Sequence, residues 1–130
     1  MNPMTNFYND IAWHSPYATV FPHSKRFRML RAISTNDLKE VTKLLDEGFP
    51  INEPIDEKYK YNALQIAATN NHFPLIEILV LRGADINKRD QWGNTPLMIA
   101  VNNHNYEAIH SLMRNGSDKN IKNNYGLTAM

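Results

Sequence analysis

The sequence contains no cysteine among its 130 residues. That absence excludes thiol catalysis, thiolate-bound metals and a disulfide framework. An excess of charge of one sign is also missing, since 14 Lys and Arg stand against 13 Asp and Glu. A net charge of +1 gives no general reason to expect nucleic acid or an anionic membrane as a partner.

Long hydrophobic runs are absent as well. No apolar run approaches the roughly 18 residues that a membrane span needs. The N-terminus lacks the apolar region of a signal peptide, and residues 1–24 contain no Lys or Arg, which disfavours a mitochondrial presequence. We therefore expect a cytoplasmic or cytoskeletal protein. The 42% of apolar residues suffice for one small domain.

The sequence also lacks the side-chain patterns that carry catalysis. None of the five histidines stands four residues from another, the helical spacing that a zinc site uses. There is no phosphate-binding glycine loop, calcium-binding loop or Ser-His-Asp arrangement. We expect no catalytic residue, no metal, no cofactor and no small-molecule substrate.

What the sequence does contain is an internal repeat. When the chain is shifted by 33 residues, positions 90–122 fall on 57–89, and Leu97, Ala100 and Gly116 meet identical residues. A further shift places Trp92 and Gly93 on an aromatic residue and a glycine at 125 and 126. A weaker copy precedes them at a spacing of 35 residues.

Local chemistry predicts two helices in each unit. Thr95 can cap a helix N-terminus, and Pro96 suits the first helical position because its missing N–H is not needed there. Gly83 and Gly116 are predicted to end the second helix in the left-handed conformation. The short loop between the helices needs the same conformation, which is expected at Asn36, Asn71 and His104.

The repeated unit resembles the ankyrin repeat at residues 94–100, NTPLMIA, and at residues 81–87, LRGADIN. The resemblance implies an all-α solenoid of helix-turn-helix repeats with projecting β-hairpin fingers, and the composition of the residues before it predicts an extended N-terminal tail. We place the tail at 1–27, a divergent first repeat at 28–56, two further repeats at 57–89 and 90–122, and the start of a fourth at 123–130. The resemblance to the ankyrin repeat also implies that the protein is a non-catalytic protein-interaction scaffold.

Some positions depart from the family pattern. Gln65 and Met98 replace the usual histidine, so we expect the hydrogen bonds of that histidine to the turn to be missing. Residues 53–62 form a longer connection without glycine, which argues against a regular β-turn. The sequence stops at the start of a fourth repeat, so the apolar face of the third repeat is expected to be exposed, at Ile109, Leu112 and Met113. Because repeats bury such faces against their neighbours, we expect the chain to be part of a longer protein.

Aromatic residues recur at the predicted finger tips. Trp92 precedes Gly93, and the repeat places Tyr59 and Tyr125 at equivalent positions. Two interpretations remain open: the rings contact a protein partner, or each packs on the neighbouring finger. Beside this aromatic ladder, the family's usual binding face would include polar residues that suit a protein surface or peptide backbone: Gln91, Asn94, Thr69, Asn70, Asn102 and Asn103.

The N-terminal tail is rich in aromatic residues and proline. It shows neither helical nor strand periodicity, and Trp13, Tyr17 and Phe21 are its candidate contacts. Since disordered segments are normally poor in aromatics, we expect the tail to become ordered on another surface. That surface is either a partner protein or the first repeat itself, where the tail would cover Leu30, Ile33 and Leu38.

Residues 47–55, EGFPINEPI, are similar to the opening of ankyrin-repeat proteins that carry an EF-hand domain and are associated with motile cilia. That resemblance implies a structural role in the axoneme, with tubulin or a microtubule-associated protein as partner. Two alternatives remain. One is a soluble adaptor that binds a peptide or protein in its concave face. The other is the substrate-presenting part of a longer enzyme.

Overall fold

The computed structural model describes residues 24–130, in which six helices follow one another. They are α1 (Lys25–Ser34), α2 (Leu38–Asp46), α3 (Ala63–Thr69), α4 (Phe73–Leu81), α5 (Pro96–Asn102) and α6 (Tyr106–Arg114). Between residues 24 and 130 there is no β-strand. The all-α expectation is confirmed.

The helices begin and end where the local chemistry places them. The side chains of Ser24, Asp37, Asn62 and Thr95 each accept a hydrogen bond from a backbone N–H in the first turn of the helix that follows. Asn36, Asn71 and His104 take φ values of 57°, 58° and 56° in the turns between paired helices. The predicted cap at Thr95 and the predicted left-handed turns are therefore confirmed, and the other three caps are additional findings.

The helices form two layers. α3 contacts α1 and α5, whereas α4 contacts α2 and α6. We call α1, α3 and α5 the inner helices and α2, α4 and α6 the outer helices. The apolar core between the layers consists of fully buried side chains from every helix: Met29, Ile33, Val41, Leu44, Leu64, Leu75, Ile76, Leu79, Leu97 and Leu112.

The expectation that Leu112 is exposed is wrong. Its side chain is fully buried, as are those of Leu44 and Leu79, which occupy the same position of the other outer helices. This face of α6 packs against α4 and α5, so Leu112 belongs to the core. Met113, the next residue along the helix, keeps 37% of its surface exposed.

Asparagine side chains tie the second and third repeats together. Asn71 donates from Nδ2 to Oε1 of Glu107 (2.9 Å) and accepts at Oδ1 from the N–H of Ala108 (3.0 Å). Asn105 donates from Nδ2 to two carbonyl oxygens at the end of α3, each at 2.8 Å. The bonds to the Ala108 N–H and to the two carbonyl oxygens satisfy backbone groups at helix ends that would otherwise lack partners.

The hydrogen bonds expected to be missing at Gln65 are present, so that expectation is wrong. Its Oε1 accepts from the N–H of Asn62 at 2.9 Å, and its own N–H donates to Oδ1 of Asn62 at 3.0 Å. This reciprocal pair is a capping box. Its Nε2 donates to the carbonyl oxygen of Lys88 at 3.1 Å, which joins α3 to the following connection.

Each connection between repeats forms a finger: the longer finger lies within residues 53–62, and two shorter fingers lie at 90–94 and 123–127. In the finger at residues 90–94, the N–H of Asp90 donates to the carbonyl of Asn94 at 2.8 Å, and the Asp90 side chain accepts from the N–H of Trp92 and of Asn94. The finger has a hairpin connection but is too short to form a strand. Lys60, at the position of the longer finger that corresponds to Gly93, takes a φ of 60°.

Gly93 lies in close contact with the finger that follows it. It is buried, with a φ of 81°. A Cβ atom built on Gly93 would lie 2.7 Å from the backbone nitrogen of Asn124 and 2.5 Å from the guanidinium of Arg89. Glycine is therefore required here by both conformation and space.

We predict that Gly93→Ala destabilises the protein more than Gly83→Ala. Both glycines have positive φ, so each substitution strains the backbone by about 1–2 kcal/mol. Only at Gly93 does the new methyl group meet neighbouring atoms, which adds roughly 1–3 kcal/mol. Urea unfolding of both variants measures the difference. Equal unfolding free energies would contradict the close finger contact.

Candidate functional site

The inner helices and the longer finger enclose a groove of about 370 Å³, here called the inner groove. Leu30 and Ser34 lie one turn apart on α1, and Ile66 and Thr69 lie one turn apart on α3, so each pair presents one helical face. The remaining lining residues are Asp56, Tyr59, Tyr61 and Asn103.

Aromatic rings form the wall of the inner groove on the finger side. The ring centroid of Tyr59 lies 5.5 Å from that of Tyr61 and 5.9 Å from that of Trp92, at tilted angles. These distances are typical of attractive aromatic pairs. Tyr59, Tyr61 and Trp92 are here called the aromatic cluster.

The predicted aromatic ladder is only partly continuous. Tyr59 and Trp92 pack together, yet they remain 39% and 36% exposed. Tyr125 is 74% exposed on the next finger. The geometry thus gives Trp92 a packing partner on the neighbouring finger and still leaves part of its ring free for contact with another molecule.

Tyr61 holds the aromatic cluster to the next finger. Its hydroxyl donates to Oδ2 of Asp90 at 3.3 Å. Burial of the phenol, together with the charge and hydrogen bond of Asp90, raises the pKa of Tyr61 to about 12. No sequence pattern predicts this role, because the 33-residue shift pairs Tyr61 with Asn94 rather than with an aromatic residue.

Of the six polar residues predicted on the binding face, Thr69 and Asn103 line the inner groove. The Thr69 hydroxyl donates to a backbone carbonyl of its own helix at 2.9 Å, so its oxygen remains able to accept. The Asn103 amide likewise donates to the carbonyl of Ile99 at 2.8 Å. Asn70 and Asn102 are exposed near the ends of α3 and α5.

Gln91 and Asn94, also predicted on the binding face, take part in contacts between fingers. The side-chain oxygen of Asn94 accepts from Nδ2 of Asn123 at 2.9 Å. The backbone carbonyl of Gln91 accepts from Nδ2 of Asn124 at 3.1 Å. Gln91 itself is exposed, so its side chain is accessible to a partner.

Trp13, Tyr17 and Phe21 lie outside the residues that the structure describes. Of the three residues that the tail was expected to cover, Ile33 is fully buried and belongs to the apolar core. Leu30 is half-buried and lines the inner groove, and Leu38 is half-buried on α2.

Side chains that could hold a metal ion do not cluster anywhere in the described part of the chain, residues 24–130. In the same residues, no helix has both the length and the apolar character to cross a membrane.

We predict that the hydrogen bond of Tyr61 stabilises the fold up to about pH 10 and is lost as the pH rises toward 12. The sign follows from the raised pKa, because the folded state favours the neutral phenol. Tyr61→Phe should therefore be less stable than the native protein at about pH 8 and approach it at about pH 11. Urea unfolding at both pH values checks this. Tyr125→Phe, on an exposed ring, is the control and should show no such convergence.

Comparison with known proteins adds family membership to this geometry. Residues 29–123 match the family model described as ankyrin repeats, in three copies. The chain is 43% identical over 53 residues to the human "Ankyrin repeat and KH domain-containing protein 1". These 53 residues are 41% of this chain and 2% of that protein.

Other relatives carry different names. The human "Mitochondrial disaggregase" is 32% identical over 73 residues, which cover 56% of this chain and 10% of that protein. The "Serine/threonine-protein kinase 12" of Arabidopsis thaliana is 30% identical over 70 residues, or 53% of this chain and 15% of that protein. The chain thus spans a small part of each relative. Because the family model covers most of its residues, the chain belongs to the ankyrin-repeat family.

Proposed function

We propose that the chain is a non-catalytic protein-interaction module that binds an extended segment of a partner protein in the inner groove. The observation that carries the proposal is the groove itself, in which an apolar floor at Leu30 and Ile66 adjoins the exposed rings of the aromatic cluster. The concave surfaces of repeat solenoids serve as extended binding sites.

The chemistry of the lining favours a polypeptide ligand. Tyrosine and tryptophan contribute large contact areas at protein interfaces and are enriched among the residues that dominate binding energy. Ser34, Thr69 and Asn103 add groups that can form hydrogen bonds with a peptide backbone. Asp56 is the charged residue of the lining, and a carboxylate disfavours phosphate and nucleic acid as ligands.

The proposed setting is a larger protein assembly. The similarity of residues 47–55 to ciliary ankyrin-repeat proteins supports an axonemal structure, in which tubulin or a microtubule-associated protein would be the partner. A second candidate is a substrate-presenting part of a longer enzyme. It is favoured by the two relatives whose names are those of enzymes, a disaggregase and a kinase, of which this chain spans 10% and 15%.

We predict that Thr69→Arg reduces partner binding about tenfold or more, because a long charged side chain would replace a small one in the lining of the inner groove. His110→Arg, on the exposed side of α6, is the matched control and should bind as the native chain does. A photo-crosslinking residue placed at Asn103, in extract from cells that make the protein, identifies the partner and measures its capture.

Two further measurements make the outcome decisive. Urea unfolding should show that Thr69→Arg remains folded, so that lost capture reports on the groove. The same photo-crosslinking residue placed at His110 tests the outer surface. Undiminished capture at Asn103 in the Thr69→Arg variant, or preferential capture at His110, would refute the inner groove as the binding site.

A further inference from the structure

The described chain begins beside the inner groove. Ser24 caps α1, and Arg26 in the first turn forms an ion pair with Glu57 of the longer finger at 2.6 Å. Leu30, which lines the groove, lies four residues after Arg26 and therefore on the same side of α1. Ser24 is six residues before Leu30, about 9 Å along the helix axis. The tail therefore enters α1 close to one end of the groove.

The tail segment nearest to α1 matches the groove in charge. Residues 11–22, IAWHSPYATVFP, contain no Asp, Glu, Lys or Arg. The groove offers apolar and aromatic surface with one charged side chain, that of Asp56, so an uncharged segment can enter it without burying an unpaired charge. Pro16 and Pro22 favour extended backbone at the residues that precede them, the conformation that a groove accommodates.

The segment is also long enough. Twelve extended residues reach about 40 Å. Packed helices lie about 8–10 Å apart, so the floor from α1 across α3 to α5 spans roughly 20 Å. Residues 11–22 can therefore run the length of the groove and still connect to Ser24.

We propose that residues 11–22 occupy the inner groove of the same molecule, with the rings of Tyr17 and Phe21 against Leu30, Ile66 and the aromatic cluster. The tail would then act as an autoinhibitory segment that a partner must displace. Occupation of the groove stands on geometry and charge, and only the competition with a partner depends on the proposed function.

The absence of native cysteine allows a direct test in the full chain. A nitroxide on Thr19→Cys lies in the middle of the segment and broadens the NMR signals of nearby amides. We expect strong broadening at Leu30, Thr69 and Asn103, relative to the reduced label. Lys43 and Leu81, exposed on the outer helices, should keep their intensity. Uniform broadening, or broadening centred on the outer helices, would overturn the proposal.

Variants and mixing identify the occupant. Adding Tyr17→Ser and Phe21→Ser to the labelled chain should reduce groove broadening several-fold, whereas Phe7→Ser, outside the segment, should not. Spin-labelled protein without isotope is then mixed with isotope-labelled protein without a spin label. Equal broadening of the groove in this mixture would assign the tail to a second copy and overturn the intramolecular contact.

Partner capture separates the failure of this proposal from failure of the proposed function. If the tail competes, Tyr17→Ser with Phe21→Ser should increase photo-crosslinking from Asn103 several-fold over the native chain. Unchanged capture together with groove broadening would remove the regulatory role. Absence of groove broadening would remove the tail as occupant and leave the effect of Thr69→Arg on partner capture intact.

Discussion

Close approach of the inner helices is the constraint on which the other features of the structure depend. Ala32, Ala67 and Ala100 occupy the same position in α1, α3 and α5, and each is buried. A larger side chain there would push neighbouring helices apart, and packed cores tolerate such added volume poorly. Because each helix pair buries its apolar faces only against its neighbours, this spacing sets both the core and the width of the groove floor.

The same spacing brings the fingers into contact. Gly93 lies against the backbone of Asn124, and the N–H of Asn124 donates to the carbonyl of Trp92 at 3.0 Å. Between the preceding pair of fingers, the Tyr61 hydroxyl donates a hydrogen bond to the Asp90 carboxylate. The aromatic cluster is thus held in place by contacts between neighbouring fingers. Rings that are already oriented lose less conformational freedom on binding, which favours affinity from a modest contact area.

The sequence predicts the features of this fold that are set by local chemistry. Thr95, Pro96 and Gly83 indicate where helices begin and end because caps and left-handed turns depend on a few adjacent residues. The bond from Gln65 to the Lys88 carbonyl could not be predicted, since it depends on the position of a group 23 residues away. The groove residues Leu30 and Ile66 fit the helical spacing of core positions, and spacing alone does not show which apolar residue lies beside an open surface.

Because the tail is covalently joined to the groove, a tail that binds there would compete strongly with a free partner. A ligand joined to its site by a short flexible linker acts at an effective concentration of about millimolar. A tail that binds even weakly would therefore occupy the groove for much of the time, and a free partner at micromolar concentration would need about a thousandfold higher affinity to compete equally. The tail would then exclude weak apolar peptides while admitting a partner that makes additional contacts, such as those available at the exposed Tyr125 and Gln91 of the fingers. Contacts with the fingers would then distinguish one partner from another, whereas contacts within the groove would be shared by the tail and the partner.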